Sequence, residues 1–440
     1  SYMPGADGIG DTYYPLLGNG GYDALHYTLE LFIDPVNNTV SGDCIMQAQA
    51  TQPLKTFNLD FSGLDINKIT VDEKKAKYRR EEGELTIIPS RPIDNGNVFT
   101  VTTSYEGTPE AFPAFGIWWT AGWHHNTDNE VYVSSETSGS DNWYPVNDHP
   151  LDKASYSFRI TVPKPYVVAA NGLLQAEVDN GDTVTYIWES VEPMASYVVG
   201  MNIAEYVVET QQGPEGVLIR NYLPPDLPEA SKALLDQTAE MLAFFRERFG
   251  PYPFQAYGTV IVDIDEFGAM ETQTLSQHTE DDYSLNEYTI AHELAHQWFG
   301  DSVSLKNWQD IWLKEGAATY AGWLWLEHRE SGALDAQIRK AYPMESFSPN
   351  PPGNPSPTNL YTDTIFNRGA MTFHALRLLV GDEVFFQILR TYTERYKYGN
   401  AGTTDFIALA EEVSGQDLGE FFDGWLYAAP IPDIPEMGLE

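Results

Sequence analysis

The first half of the chain alternates apolar and polar residues with a period of two. Every second residue is apolar in Tyr156–Val162 and again in His26–Ile33. This period is typical of half-buried strands. Two Asn-Gly pairs, Asn95-Gly96 and Asn180-Gly181, lie between apolar runs, and Asn-Gly favours the positive φ angles of a tight hairpin. The pattern predicts an N-terminal antiparallel β domain over residues 1–207.

Helical periodicity replaces this alternation from residue 208 onward. The first predicted helix, Pro228–Phe249, has proline near its first turn and Gly250 just past its end, as helix termini favour. Further helices are predicted at Asn286–Phe299, Trp312–Glu327, Gly369–Val380, Glu383–Tyr396, Asp405–Val413 and Leu418–Tyr427. We therefore expect an α+β fold, with a mainly helical domain over residues 208–440 that ends in a proline-rich tail.

Residues Pro343–Pro357 carry six prolines between two predicted helices. Prolines stiffen the backbone, which suits either a plain connection or a wall of a substrate cleft. The sequence leaves both interpretations open.

The charge balance excludes several classes of function. The 440 residues include 25 Lys+Arg and 64 Asp+Glu, for a net charge of −39. Such a field repels phosphate backbones and anionic lipids, so neither nucleic acid nor a membrane is expected as a partner. We expect a soluble chain. Its start at Ser1 fits a processed, exported product, but the compartment, including the cytoplasm, and the oligomeric state stay open. The single cysteine, Cys44, is expected to be a small buried hydrophobe.

The segment His292–His296 reads His-Glu-Leu-Ala-His, the HExxH pattern, within a predicted helix. Residues four apart share one helix face, so both imidazoles can reach a single cation. Glu293 lies at the edge of that face, where it can act as general base toward a metal-activated water. The alternative is an ordinary helix with solvated histidines.

A third ligand follows at Glu315, with eighteen residues between it and His296. The gap accommodates a helix stop at Gly300, a loop, and a second helix whose first turn faces the metal. Two histidines and one glutamate leave one position of a tetrahedral zinc site open, which is the arrangement of catalytic zinc. We predict one Zn²⁺ held by His292, His296 and Glu315.

With these residues, the chain resembles the gluzincin zinc aminopeptidases, the family of aminopeptidase N and leukotriene hydrolase. The resemblance covers nearly the whole chain and implies a thermolysin-like zinc-peptidase domain after the β domain. Members commonly continue with a small β-sandwich and a helical domain, so this chain looks like a short two-domain form.

Two further segments resemble the substrate-binding parts of that family. Residues 268–272 read Gly-Ala-Met-Glu-Thr, similar to the family's GAMEN motif with threonine in place of asparagine. The resemblance implies that Glu271 binds the substrate's α-ammonium, with Gly268, Ala269 and Met270 beside the substrate. A second match, at Ser134–Glu136, implies that Glu136 contacts the same amine from the β domain. In the alternative, Glu136 ends a strand in solvent.

One position departs from the family. A tyrosine is expected where this chain has Phe366, in the run Phe-Asn-Arg-Gly-Ala. The tyrosine hydroxyl would stabilise the oxyanion of the reaction, and losing one such donor typically costs about 10²–10³ in turnover. Tyr361 is the nearest tyrosine that could replace it. Phe366 is either natural or an engineered change that traps substrate.

The sequence therefore predicts a metalloprotease, a hydrolase acting as an exopeptidase on peptides with a free N-terminus. Two alternatives stay open. A zinc metalloendopeptidase would keep the metal and lose the requirement for a free N-terminus. A zinc-bound peptide-binding protein without turnover would follow from the missing hydroxyl at Phe366.

Overall fold

Alternating strands build the first half of the molecule, as the sequence predicts. The computed structural model describes residues 1–263, 268–345 and 349–440. In the strand Ala154–Pro163 the side chains of Tyr156, Phe158 and Ile160 are buried, whereas Arg159 is exposed. Burial of every second side chain is what a period of two produces on a sheet with one covered face. The predicted α+β class is confirmed.

The described residues before Glu205 form three sheets. The eight-stranded sheet has the order Leu173–Asp179, Thr183–Met194, Ala154–Pro163, Tyr22–Asp34, Thr39–Ala50, Val98–Gly107, Asp65–Val71 and Lys74–Lys75. The five-stranded sheet has the order Phe112–Pro113, Thr120–His125, Val131–Ser134, Met201–Ala204 and Val167–Ala170. The four-stranded sheet has the order Met3–Pro4, Leu54–Asp60, Glu84–Ile88 and Lys77–Glu81.

Most strand pairs are antiparallel, but Ala154–Pro163 runs parallel to Tyr22–Asp34. The predicted hairpin at Asn180 forms, with its backbone N–H donating to the Thr183 carbonyl at 2.9 Å.

The hairpin predicted at Asn95-Gly96 is wrong. Gly96 does adopt a positive φ of 81°, so the pair makes a turn. The strand before it, Glu84–Ile88, pairs with Leu54–Asp60, whereas the strand after it, Val98–Gly107, belongs to the eight-stranded sheet. The turn therefore connects two sheets. Each flanking strand pairs with a strand that is distant in the sequence, and not with the other flanking strand.

The second half combines a smaller sheet with helices. Its six-stranded sheet contains Val207–Gln212, Leu218–Leu223, Thr259–Ile261, Ser276–His278 and Ala269–Met270 in that order, with Ala256–Tyr257 beside Leu218–Leu223. Ser304–Leu305 pairs with Asn400–Ala401. The helices are α1 (Glu229–Leu235), α2 (Thr238–Phe249), α3 (Glu287–His296), α4 (Trp312–Arg329), α5 (Ala333–Glu345), α6 (Asp363–Val380), α7 (Asp382–Arg395), α8 (Thr403–Ser414) and α9 (Gly419–Phe422).

Some predicted helices have different bounds. The predicted helix over 228–249 is divided into α1 and α2. Helix α6 begins six residues before its predicted start at Gly369, which places Phe366 on a helix. The last predicted helix is α-helical for one turn and continues as a π-helix at Asp423–Tyr427.

Helix α5 was not predicted from the sequence. It contains Pro343, the first proline of the proline-rich segment. Residues 346–348 of that segment lie outside the described residues. Farther on, the hydroxyl groups of Tyr13 and Tyr14 donate to the carbonyls of Pro355 and Pro357 at 2.7 and 2.8 Å. These bonds tie the described part of the segment to residues near the start of the chain.

Buried and half-buried polar contacts join the β-rich half to the helical half. The Lys153 ammonium donates to the carbonyls of Asp301 and Ser302 at 2.9 and 3.0 Å. Asp11 links His149, at 2.9 Å, to the backbone N–H of Trp308, at 3.0 Å. Because both halves contribute to each set of bonds, these contacts stabilise the interface between the two halves.

Helices α4 and α6 touch at their backbones where Gly316 faces Gly369. A Cβ added to Gly316 would lie 2.7 Å from the Gly369 carbonyl carbon. Glycine is therefore required at this crossing, because any side chain would push the helices apart.

Two further expectations concern membranes and Cys44. Among the described residues, no helix combines the length and apolarity that crossing a bilayer requires. Cys44 is buried, as a small core residue should be.

Arg368, on α6, fixes the start of the proline-rich tail. Its buried guanidinium donates to the carbonyls of Gly424, Trp425, Ala428 and Ala429 at 2.7–3.1 Å. A planar guanidinium can make this many directed bonds at once, which a lysine cannot. The tail is thus anchored to the same helix that carries Phe366.

We expect Arg368→Met to lower the free energy of unfolding by about 3 kcal/mol or more, because it leaves several buried carbonyls without donors. Urea unfolding followed by circular dichroism measures this change. Arg395→Met is the matched control, since Arg395 makes an exposed ion pair with Glu412 and such pairs contribute about 1 kcal/mol or less. Equal losses in the two variants would contradict the anchoring role.

Candidate active site

Helix α3 carries the His-Glu-Leu-Ala-His segment and begins at a polar cap. The Asn286 side chain accepts a hydrogen bond from the Thr289 backbone N–H at 2.9 Å, which satisfies one of the free donors of the first turn. The cap fixes where the helix starts. It thereby fixes which face His292 and His296 present, one turn apart.

The structure brings the three predicted metal ligands together. His292 Nε2 and His296 Nε2 are 3.1 Å apart, and each lies 3.3 Å from Oε2 of Glu315 on the first turn of α4. All three side chains are buried, so these histidines do not form a solvated helix face.

The donor set fits a tetrahedral zinc ion. Ligand atoms placed about 2.0–2.1 Å from such an ion are about 3.3 Å from one another, close to the separations above. His296 Nδ1 lies 2.9 Å from the Phe299 carbonyl, so this nitrogen donates and leaves Nε2 free to ligate. Burial lowers the pKa of His292 and favours its neutral, ligating form. Burial alone would raise the pKa of Glu315, but the Lys314 ammonium holds it well below its usual range.

Glu293 lies beside this set with a free oxygen. Its Oε2 is buried without a hydrogen-bond partner among the described residues, and its carboxylate lies within 4.8 Å of ligand atoms of Glu271 and His296. Burial raises the pKa of Glu293 well above its usual range. A carboxylate in this state holds a transferred proton better than an exposed one does.

Glu271 reaches the cluster from the end of the edge strand Ala269–Met270, which pairs with Ser276–His278. Met270 is buried in the core. A Cβ added to Gly268 would lie 2.8 Å from the Tyr283 ring, which gives this glycine a packing reason besides the expected approach of substrate.

Thr272 takes the place of the asparagine expected after Glu271. Its hydroxyl donates to the Leu275 carbonyl. The threonine thus satisfies its own polar group within the loop.

Glu136 reaches the cluster from the β-rich half and is buried. The alternative in which Glu136 ends a strand in solvent is therefore wrong. Lys314 Nζ lies 2.5 Å from Glu136 Oε1, 2.7 Å from Glu271 Oε1 and 2.5 Å from Glu315 Oε1. Burial and the Glu271 charge raise the pKa of Glu136 to about 7, although the Lys314 ammonium opposes them.

Phe366 and Tyr361 both border the cluster. The Phe366 ring is 6.3 Å from the His292 ring and 6.2 Å from the Tyr361 ring. The Tyr361 hydroxyl is buried without a hydrogen-bond partner among the residues that the structure describes. Its ring packs edge-on against Trp119 at 5.1 Å. A buried hydroxyl without a partner is a donor available to a ligand.

Sequence reasoning missed Lys314 as a site residue. A signal existed, because Lys314 directly follows the apolar run Ile311–Leu313 at the start of a predicted helix. A lysine at such a position is rarely buried unless it is paired. The partners were not readable, since Glu136 and Glu271 come from distant segments.

Two histidines and one glutamate thus form a buried set on neighbouring helices, beside a β-sheet domain. This arrangement is typical of a metalloenzyme. Family models agree with this architecture. Residues 23–198 match the peptidase M1 N-terminal domain, and residues 233–425 match the peptidase family M1 domain.

Several known proteins are similar to the chain. Aminopeptidase N of Streptomyces lividans is 28% identical over 337 residues, which are 68% of this chain and 38% of that protein. Aminopeptidase M1 of Arabidopsis thaliana is 25% identical over 449 residues, 93% of this chain and 50% of that protein. The chain thus spans about half the length, or less, of these curated relatives.

Solved structures match over nearly the whole chain. An M1 zinc metallopeptidase of Deinococcus radiodurans has a TM-score of 0.88 and 30% identity, covering 97% of this chain and 98% of its own. A mutant of it bound to a Tyr-Ser-Ala substrate has a TM-score of 0.91 at 30% identity, covering 98% and 100%. The chain belongs to peptidase family M1.

Proposed function

We propose that this chain is a zinc-dependent aminopeptidase that removes N-terminal residues from peptides. The observation that carries the proposal is one buried cluster in which Glu136 and Glu271 meet a single ammonium group beside the set His292, His296 and Glu315. A carboxylate pair next to the metal ligands selects a charged N-terminus close to the bond that is cut. Related proteins named aminopeptidases, and a similar structure bound to Tyr-Ser-Ala, support the same substrate class.

One Zn²⁺ is the proposed cofactor, held by His292, His296 and Glu315. When bound, it supplies Lewis-acid polarisation of the substrate carbonyl and lowers the pKa of water toward about 7. Glu293 accepts the proton of the attacking water at its free Oε2 and delivers it to the leaving amine. Glu136 and Glu271 orient the N-terminus, which fixes the scissile bond one residue away.

Tyr361 is the proposed donor to the oxyanion, in place of the hydroxyl that Phe366 lacks. Its buried hydroxyl has no other partner among the described residues, and its ring contacts that of Phe366. We also propose the boundary between the two domains near residue 207, where the strands of the N-terminal sheets give way to those of the six-stranded sheet.

A panel of aminoacyl anilides, assayed with and without a metal chelator, tests the proposed function. We expect hydrolysis that the chelator abolishes and added zinc restores. N-acetylated peptides separate the two alternatives. Equal cleavage of free and acetylated peptides would establish a metalloendopeptidase, and peptide binding without any turnover would establish a silent binding protein.

We expect Glu293→Gln to keep the metal, because Glu293 is not one of the proposed ligands. The variant should lose almost all hydrolysis, because an amide cannot accept the proton of the attacking water. Turnover of a leucyl anilide and zinc content by atomic absorption measure the two effects. Glu287→Gln on the same helix is the control and should retain activity. Substantial hydrolysis by Glu293→Gln would refute the assignment of the general base.

Glu271→Ala should impair cleavage of peptides with a free N-terminus, since one of the two carboxylates for the ammonium is removed. Zinc content should change little, because Glu271 is outside the proposed ligand set. We expect mainly a higher KM, measured on a leucyl anilide. An unchanged KM together with lost zinc would show instead that Glu271 supports the metal.

Tyr361→Phe removes only a hydroxyl and should lower kcat by about 10²–10³ if Tyr361 stabilises the oxyanion. Phe366→Tyr restores the hydroxyl expected at that position and should rescue the Tyr361→Phe variant. Kinetics of the two single variants and the double variant give this comparison. A Tyr361→Phe variant as active as the wild type would rule out Tyr361 as the donor.

A further inference from the structure

The Lys314 ammonium lies where the proposed function places the N-terminus of the substrate. Its side chain is 0% exposed, and Nζ is within 2.7 Å of one oxygen each of Glu136 and Glu271. These are the two carboxylates that we propose for the α-ammonium. The site therefore already holds one cation of its own on its binding carboxylates.

A lysine ammonium and a peptide α-ammonium are chemically equivalent donors. Each carries one positive charge and three N–H groups at neutral pH. Two ammonium groups sharing the same two oxygens would repel each other strongly in a buried site. The substrate must then displace Lys314 from these oxygens or bind against its charge.

Two aromatic rings and a third carboxylate also surround the Lys314 ammonium. Nζ lies 5.5 Å from the centre of the Tyr197 ring and 5.8 Å from that of the Tyr361 ring. The third carboxylate, Glu315, holds Nζ at 2.5 Å and is the next residue along the same helix. Lys314 can thus release Glu136 and Glu271 while Glu315 still pairs with it.

We propose that Lys314 is a specificity-determining residue that competes with the N-terminal ammonium of the substrate for Glu136 and Glu271. The inference rests on the proposed function, because it takes these two carboxylates as the binding site of the amine. Displacement of Lys314 and repulsion by it both weaken the binding of an amine. In both cases Lys314 weakens the binding of free amines and makes affinity depend more on side-chain contacts of the N-terminal residue.

Equilibrium binding of L-leucinol, which carries a primary amine but no amide bond, tests this competition. Isothermal titration calorimetry on the zinc-loaded full chain compares the wild type with Lys314→Gln and with the charge-preserving Lys314→Arg. We expect Lys314→Gln to lower the Kd at least about tenfold, as removal of a like charge at close range should. Lys314→Arg should stay within about threefold of the wild type, because the charge remains.

Two controls separate competition from a general change of the site. N-acetyl-L-leucinol lacks the charged amine, so Lys314→Gln should not improve its binding. Lys306→Gln removes a partly exposed lysine that pairs with Asp405 and should leave the affinity for L-leucinol unchanged. Unchanged or weaker amine binding by a zinc-loaded Lys314→Gln variant would overturn the inference.

A measurement on the wild type covers the case in which Lys314→Gln fails to fold or to hold zinc. A crystal structure of the zinc-loaded protein without amine should show Nζ within hydrogen-bond distance of both Glu136 and Glu271. In the same crystals soaked in L-leucinol, the amine should lie on the oxygens of Glu136 and Glu271 that Nζ contacts, with Nζ either farther from them or facing the amine. An Nζ away from both carboxylates before the soak would overturn the inference, and so would an amine bound elsewhere.

The outcomes also separate this inference from the proposed function. A zinc-loaded wild type that hydrolyses no aminoacyl anilide contradicts the proposed function itself. A wild type that hydrolyses them, with no gain in amine affinity in Lys314→Gln, leaves the function standing and contradicts only the role of Lys314.

Discussion

The burial of four carboxylates in one small volume is the constraint on which the centre of this molecule depends. Glu136, Glu271, Glu293 and Glu315 are all buried, and an isolated buried carboxylate is very costly. The cluster is stabilised by the Lys314 ammonium, by the proposed zinc ion, and by the raised pKa values of Glu136 and Glu293, which let protons neutralise these two carboxylates. Any ligand that enters must also fit this balance of charge, which is why we propose peptides with a cationic N-terminus, and not acylated ones, as substrates.

The same constraint explains why the site lies between the two halves of the chain. Glu136 arrives from the β-rich half, whereas the other three carboxylates come from the helical half. Neither half alone contains both the proposed metal ligands and the two carboxylates proposed to bind the amine. The contacts of Asp11, Lys153 and their partners at the interface are thus part of what keeps the site assembled.

Local pattern was enough to predict the elements whose neighbours are close in sequence. The alternation in Tyr156–Val162 and the helix around His292–His296 follow from periodicity, and Glu315 follows from spacing on the next helix. The turn at Asn95-Gly96 and helix α5 were missed because partners from elsewhere in the chain decide them. The pairing of Lys314 with Glu271 and Glu136 could not be predicted for the same reason, since these carboxylates lie about 40 and 180 residues earlier in the sequence. Long-range pairing, which overrides local propensity, is the physical limit of such prediction.

The bare crossing of Gly316 and Gly369 has a mechanical consequence. Because the two backbones are this close, a shift of α4 along α6 would bring flanking side chains into the crossing, so the crossing holds Glu315, Lys314 and Phe366 in one relative position. Opening or closing of the cleft would then require the β-rich half to move relative to helices α4 and α6. The distance from Glu136 to Lys314 would change with such motion, and a pair of spectroscopic labels, one on each half, would measure the accompanying change in separation.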